Sequence, residues 1–167
     1  MFAYRVIVLF LGFLCLSNCG FRPLYQQADE SLQLHLNRIK IQTIADREGQ
    51  LLHNQLSTIL TPKGMVSPAL YSLSTSLKFQ NQGVAFQKDA STSQESTALT
   101  FHISLTNIKT GKVLYSTSET ISITNSLSQD SPYSNMIEER SAKKRLVQEA
   151  GHSIRLHLAS FFSSLPQ

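Results

Sequence analysis

The chain of 167 residues is 41% hydrophobic and 16% charged, with 15 basic and 11 acidic side chains and a formal net charge of +4. That length suits a single domain able to bury on the order of 70% of its unfolded surface, and the small positive excess excludes the clustered basic face of a nucleic-acid binder. Low charge combined with abundant Ser and Thr points to strands and loops, not to a charged helical bundle.

At the N-terminus Arg5 precedes Val6 to Leu16, an apolar run of 11 residues. As a helix it spans roughly 16 Å, about half of a bilayer's hydrocarbon thickness, so it reads as a secretory leader and not as a membrane span. The run ends in Leu16-Ser17-Asn18-Cys19, which resembles the lipobox of bacterial lipoproteins. That resemblance implies cleavage between Asn18 and Cys19 and acylation of the Cys19 thiol. Asn18 departs from the small residue usual before the cysteine, and Cys15, inside the apolar run, is the poorer alternative. Residues 1–18 are then the leader, 19–30 a lipidated tether and 31–165 one domain. The mature chain of 149 residues, with a net charge of +3, keeps one cysteine, already used by lipid; no disulfide is available. Three acyl chains exceed what stable anchoring needs. Gly20, in place of the Asp that retains lipoproteins at the inner membrane, points to the outer membrane.

Within the domain, Leu32, Leu34 and Leu36 alternate, then Ile39 and Ile41 after a change of phase at Asn37-Arg38. Period two predicts a first strand from Ser31 to Ile41 with a bulge. Leu52, Leu56, Ile59 and Leu60 step by three and four, so Arg47 to Leu60 is read as a helix, with Asp46 as N-cap and Pro62 and Gly64 ending it. Tyr71, Leu73, Thr75, Leu77 and Phe79 predict a second strand from Leu70 to Gln87. The polar segment Asp89 to Ser96 reads as a loop. Leu99 to Leu105 alternates as a third strand, and Thr110-Gly111-Lys112 is the turn into a fourth, Val113 to Ile123, forming an antiparallel hairpin. Ser126 to Ser134 reads as a loop. Asn135 to Leu165 then forms a long helix whose apolar side carries Val147, Ala150, Ile154, Leu158, Phe161 and Leu165, with a solvated charged part at Glu138 to Arg145. The expected fold is α+β, order β-α-β-β-β-α: two helices on one face of a four-stranded mixed sheet, its first two strands parallel.

A search for chemistry finds little. His35, His53, His102, His152 and His157 are scattered, and His152 and His157, five apart, point about 140° away from each other on a helix and cannot share a metal as an i, i+4 pair can. No nucleophile elbow, phosphate-binding glycine loop or paired-acid motif occurs. No catalytic residue, metal ligand or cofactor is expected. The hairpin strands do carry Thr100, His102, Ser104, Thr106 and Ser116, Ser118, Thr120, Ser122 on the side away from the apolar positions. Such a hydroxyl face is either solvent-exposed or fitted inside something.

Cys19-Gly20-Phe21-Arg22-Pro23-Leu24-Tyr25 is similar to the start of the mature chain in the LptE family of lipopolysaccharide-assembly lipoproteins, in particular its alphaproteobacterial branch. The likeness continues in Asp46-Arg47-Glu48-Gly49-Gln50, in Leu52 and Leu56, in Tyr71-Ser72-Leu73, and in the order of elements. It implies an outer-membrane lipoprotein that plugs and helps assemble the LptD β-barrel and takes part in delivering lipopolysaccharide. On that reading Phe21 and Tyr25 sit at headgroup depth, and Arg22 meets a phosphate or a partner carboxylate. From charge and placement, Lys88, Lys109 and Lys112 are candidates for lipopolysaccharide phosphates. The second reading is a lipid-anchored accessory subunit of a periplasmic lipid-transport or ABC-transport complex.

Overall fold

The computed structural model describes residues 32–62, 64–66, 68–86, 92–128 and 132–165, with side chains at 82–86, 92–94 and 126–128 excepted. The expectations for Asn18, Cys19, Phe21, Arg22, Tyr25 and Lys88 lie outside the described residues. The elements are β1 (Ile39–Ile41), α1 (Asp46–Leu60), β2 (Tyr71–Phe86), β3 (Thr92–Asn107), β4 (Val113–Ser128) and α2 (Pro132–Ser163). They form one four-stranded sheet in the order β1-β2-β3-β4. β1 is parallel to β2, and β2, β3 and β4 form an antiparallel meander. The fold is therefore the expected α+β arrangement, with helices packed against a mixed sheet.

Lengths explain the layering. Each 16-residue strand extends about 50 Å, and the 32-residue α2 is also about 50 Å long, so one helix can run along the whole hairpin. Leu99, Phe101, Ile103 and Leu105 of β3 are fully buried beneath Val147, Ala150, Ile154 and Leu158 of α2 and Leu52, Leu56 and Leu60 of α1. Among the described residues no helix is long and apolar enough to cross a membrane.

Four local expectations are corrected. Residues 32–36 are helical and 37–38 form a turn, so only Ile39–Ile41 is a strand. Leu32 and Leu36 satisfy i, i+4 spacing as well as period two, and the residue that separates the readings, Leu34, is 58% exposed. A strand there would also lack a partner, because β2 starts opposite Ile39. Instead Gln33 Nε2 ties the helical turn to Asn37 Oδ1 (2.9 Å) and to the Leu60 carbonyl at the end of α1 (2.8 Å).

The N-cap of α1 is Ala45, with no side-chain cap hydrogen bond. Asp46 is the first helical residue, at φ +68°, a left-handed value that Asp tolerates better than most residues. Neither polar loop is as long as expected. β3 starts at Thr92 and β4 runs to Ser128, because their backbones pair with each other where the local composition signals a loop. Pro132 opens α2, where its missing N–H costs nothing. Finally, α2 ends at Ser163, so Leu165 lies beyond the helix, 39% exposed, and Phe162 takes the buried position at 6%.

Candidate functional site

Alternation along the strands separates the two sheet faces. Leu73, Thr75, Leu99, Phe101, Ile103 and Leu105 are buried under the helices. Their neighbours in sequence lie on the other face, which is open. Cross-strand register lines them up in rows: Lys78 with Thr100 and Thr120, Ser76 with His102 and Ser118, Ser74 with Ser104 and Ser116, and Lys40 with Ser72. Every one of these residues is exposed or half-exposed.

The face is held together by its own hydroxyls. Thr100 Oγ1 and Thr120 Oγ1 are 2.8 Å apart, Gln42 Nε2 donates to Ser72 Oγ at 2.6 Å, and Ser118 Oγ donates to the Phe101 carbonyl at 3.2 Å. Ser116 Oγ lies 3.4 Å from His102 Nε2. Among the described side chains of this face the charged ones are Lys40 and Lys78; it holds no carboxylate. It can therefore offer many neutral donors and acceptors to a polar surface without having to desolvate acids.

Lys109 and Lys112 flank the β3–β4 turn and are exposed. Asn107 builds that turn: its Oδ1 accepts from the Lys109 and Thr110 amides (2.9 and 3.1 Å), its N–H donates to the Lys112 carbonyl (2.9 Å), and Gly111 supplies φ +68°. The turn sits at one end of the sheet. Lys88, between Phe86 and Thr92, lies outside the described residues.

A polar cluster that sequence reasoning did not single out joins α2 to β4. His157 Nε2 donates to Glu119 Oε2 at 2.9 Å, and Ser153 Oγ donates to the same oxygen. His157 Nδ1 lies 3.2 Å from the Tyr115 hydroxyl. The Ser153 hydrogen bond, followed by that of His157, holds the Glu119 carboxyl below its ordinary value despite some burial. The serine here is bound to the carboxylate and not to the imidazole. The available signal was Glu119 itself, an acid at a position whose neighbours two and four along, Ile121 and Ile123, are half-buried apolar residues facing the helices. Among the described residues no three His, Cys, Asp or Glu side chains gather as metal ligands.

Between the two helices lies an open groove of about 710 Å³ lined by Leu51, Ile59, Lys144, Val147 and His152, with Gln55 Nε2 donating across it to the Gln148 carbonyl at 2.8 Å.

No protein-family model matches the chain, and no curated protein matches it. Solved structures do. A candidate lipoprotein of Caulobacter crescentus CB15 is 24% identical, with a TM-score of 0.60 over 81% of this chain and 98% of that one. A minor lipoprotein of Acinetobacter baumannii is 12% identical, with a TM-score of 0.52 over 73% of this chain and 90% of that one. The chain thus shares its fold, helices laid against one face of a mixed four-stranded sheet, with these two bacterial proteins.

Proposed function

We propose that the protein is an outer-membrane lipoprotein, anchored through Cys19, that seats inside a large LptD-like β-barrel, helps that barrel assemble and takes part in delivering lipopolysaccharide to the outer leaflet. The observation that carries this reading is the open sheet face, rich in small hydroxyls and free of carboxylates among its described side chains. The lumen of a large barrel is polar, and Ser and Thr can lie close against such a wall and exchange hydrogen bonds with it. The lipobox-like Leu16-Ser17-Asn18-Cys19 supports the anchor, and the fold shared with two proteins described as lipoproteins agrees with it. In this reading Phe21, Arg22 and Tyr25 belong to the path from the anchor into the barrel.

The test is a mild-detergent pull-down of the C-terminally tagged chain from outer membranes, with co-purifying proteins identified by mass. A stoichiometric barrel protein of several hundred residues is expected. Recovery of inner-membrane transport subunits instead would replace the plug with an accessory subunit of a lipid-transport complex. Replacing Phe21 and Arg22 by Ser should lower the barrel yield severalfold; an unchanged yield would reduce residues 19–30 to a passive tether.

A further inference from the structure

We infer that the end of the sheet carrying the β3–β4 turn is a membrane-docking surface, built to lie on the phospholipid leaflet in which the acyl chains of Cys19 are embedded. This inference rests on the lipid anchor of the proposed function and is independent of the barrel.

Four stretches of chain meet at this end. The Val66 amide donates to the Asn37 carbonyl (2.8 Å), the Leu70 and Tyr71 amides to the Arg38 carbonyl (3.0 and 3.2 Å), and the Ile108 amide to the Leu70 carbonyl (3.0 Å). α2 arrives at the same place, where Phe162 stacks on His35 at 5.1 Å between ring centroids and packs on Tyr71 at 5.2 Å. This framework holds apolar side chains out of the core. Met65, Val66, Ile108 and Val113 are 50, 43, 46 and 52% exposed.

Among the described residues, the charge at this end has a single sign. Arg38, Lys109 and Lys112 are exposed, and residues 32–41, 61–71, 104–116 and 158–165 contain no Asp or Glu. The nearest acids in sequence, Asp29 and Glu30, precede the described residues. Among the described acids, Asp46 and Glu48 lie beside Thr75 to Phe79, part-way along β2, Glu119 lies opposite Phe101, Glu95 opposite Gly83, and Glu138, Glu139 and Glu149 of α2 all precede Phe162 by 13 residues or more. Apolar side chains beside cations and without carboxylates match a bilayer surface, where methyl groups enter the headgroup layer and cations meet phosphates.

Chain length brings this end within reach of that surface. Cys19 precedes Leu32 by 13 residues, a segment that spans at most about 45 Å when extended. An anchor this close holds the leaflet at a high effective concentration, so a contact too weak to bind vesicles alone is populated once the chain is acylated.

The test uses the acylated full chain in a Cys15→Ser background, in which the Cys19 thiol is blocked by lipid. Single cysteines are introduced as Val66→Cys, Ile108→Cys or, at the far end of α2, Tyr133→Cys, and labelled with an environment-sensitive fluorophore. The chain is reconstituted in phosphatidylethanolamine–phosphatidylglycerol vesicles whose acyl chains are brominated. The labels at 66 and 108 should be quenched severalfold more than the label at 133. Replacing Arg38, Lys109 and Lys112 by Ala, or phosphatidylglycerol by a zwitterionic lipid, should remove at least half of that difference. Equal quenching at the two ends overturns the inference, as does quenching at 66 and 108 that requires lipopolysaccharide in the vesicle. The mass of the labelled chain separates this failure from failure of the anchor: a second label on Cys19 means an unacylated thiol and refutes the anchoring itself.

Discussion

Gly49 and Gly151 are both buried helical glycines, but a methyl group meets different neighbours at each. At Gly49 an added Cβ comes within 2.7 Å of Ile44 Cγ2 and 3.0 Å of the Ile44 backbone. That neighbour lies just before the helix and cannot step aside. Overpacking of this kind costs about 1–3 kcal/mol, more than the ~1 kcal/mol of helix propensity gained, so Gly49→Ala should lower the urea midpoint. At Gly151 the nearest atom, Gln55 Nε2 at 2.6 Å, is the tip of a flexible side chain. Gln55 can swing away, giving up its bond to the Gln148 carbonyl, and Gly151→Ala should stay within about 1 kcal/mol of the parent. Glu119 makes a pH prediction at the same scale. Its folded pKa is held below the ordinary 4.5 by Ser153 and His157. The stability it contributes is therefore present above about 4.5 and is lost as pH falls through the lower folded value. Glu119→Gln should melt a few degrees below the parent at pH 7, and the gap should close as the pH falls through the lowered folded value; a gap that persists once the carboxyl is protonated would mean that the Gln side chain packs badly. The group is about a third exposed, which keeps the effect modest.

Element by element, α2 shows how a helix end sets the apolar register. Val147, Ala150, Ile154 and Leu158 face the sheet as their spacing requires, but a stripe extrapolated to Leu165 overshoots a helix that stops at Ser163. Phe162 fills the space instead, against His35 and Tyr71. Phe162→Ala should cost roughly 3 kcal/mol, while Leu165→Ala should change stability by less than about 0.5 kcal/mol; chemical denaturation of the two variants side by side checks the assignment. The segment at 32–36 carries a related lesson. Leu32 and Leu36 are compatible with both periods and only Leu34 separates them, so the choice depended on whether a neighbouring strand was there to receive the backbone.

For the molecule as a whole, the two sheet faces have different roles. One is filled by α1 and α2, and the other carries hydroxyls in cross-strand rows. An acid on that open face should leave the core untouched. Ser104→Glu, opposite Ser74 and Ser116, is expected to melt within a few degrees of the parent and, on the proposed function, to reduce recovery of a barrel at least tenfold. Full recovery would remove the open face from the proposed function. The direction of the chain adds an orientation: the turn end, with Ile108 and the cations Arg38, Lys109 and Lys112, would rest at the leaflet, and the start of α2 would point away from it.

Much of this was legible in the residues alone. Long alternating or helical stretches, Tyr71 to Phe79, Leu99 to Leu105 and Val147 to Leu158, identify their elements because each buries one face and local periodicity records which. The parallel start of the sheet followed from a helix joining β1 to β2, and the hydroxyl face from what remained between the apolar positions. Tertiary contact decided the rest. Thr92 to Ser96 and Asn125 to Ser128 are strand because partners on the sheet satisfy their backbones, a condition that composition does not encode. Residues 32–36 are helical because no such partner faces them. The Glu119–Ser153–His157 cluster and the basic, apolar end at Arg38, Met65 and Ile108 join residues far apart in the chain, and only the folded backbone brings them together.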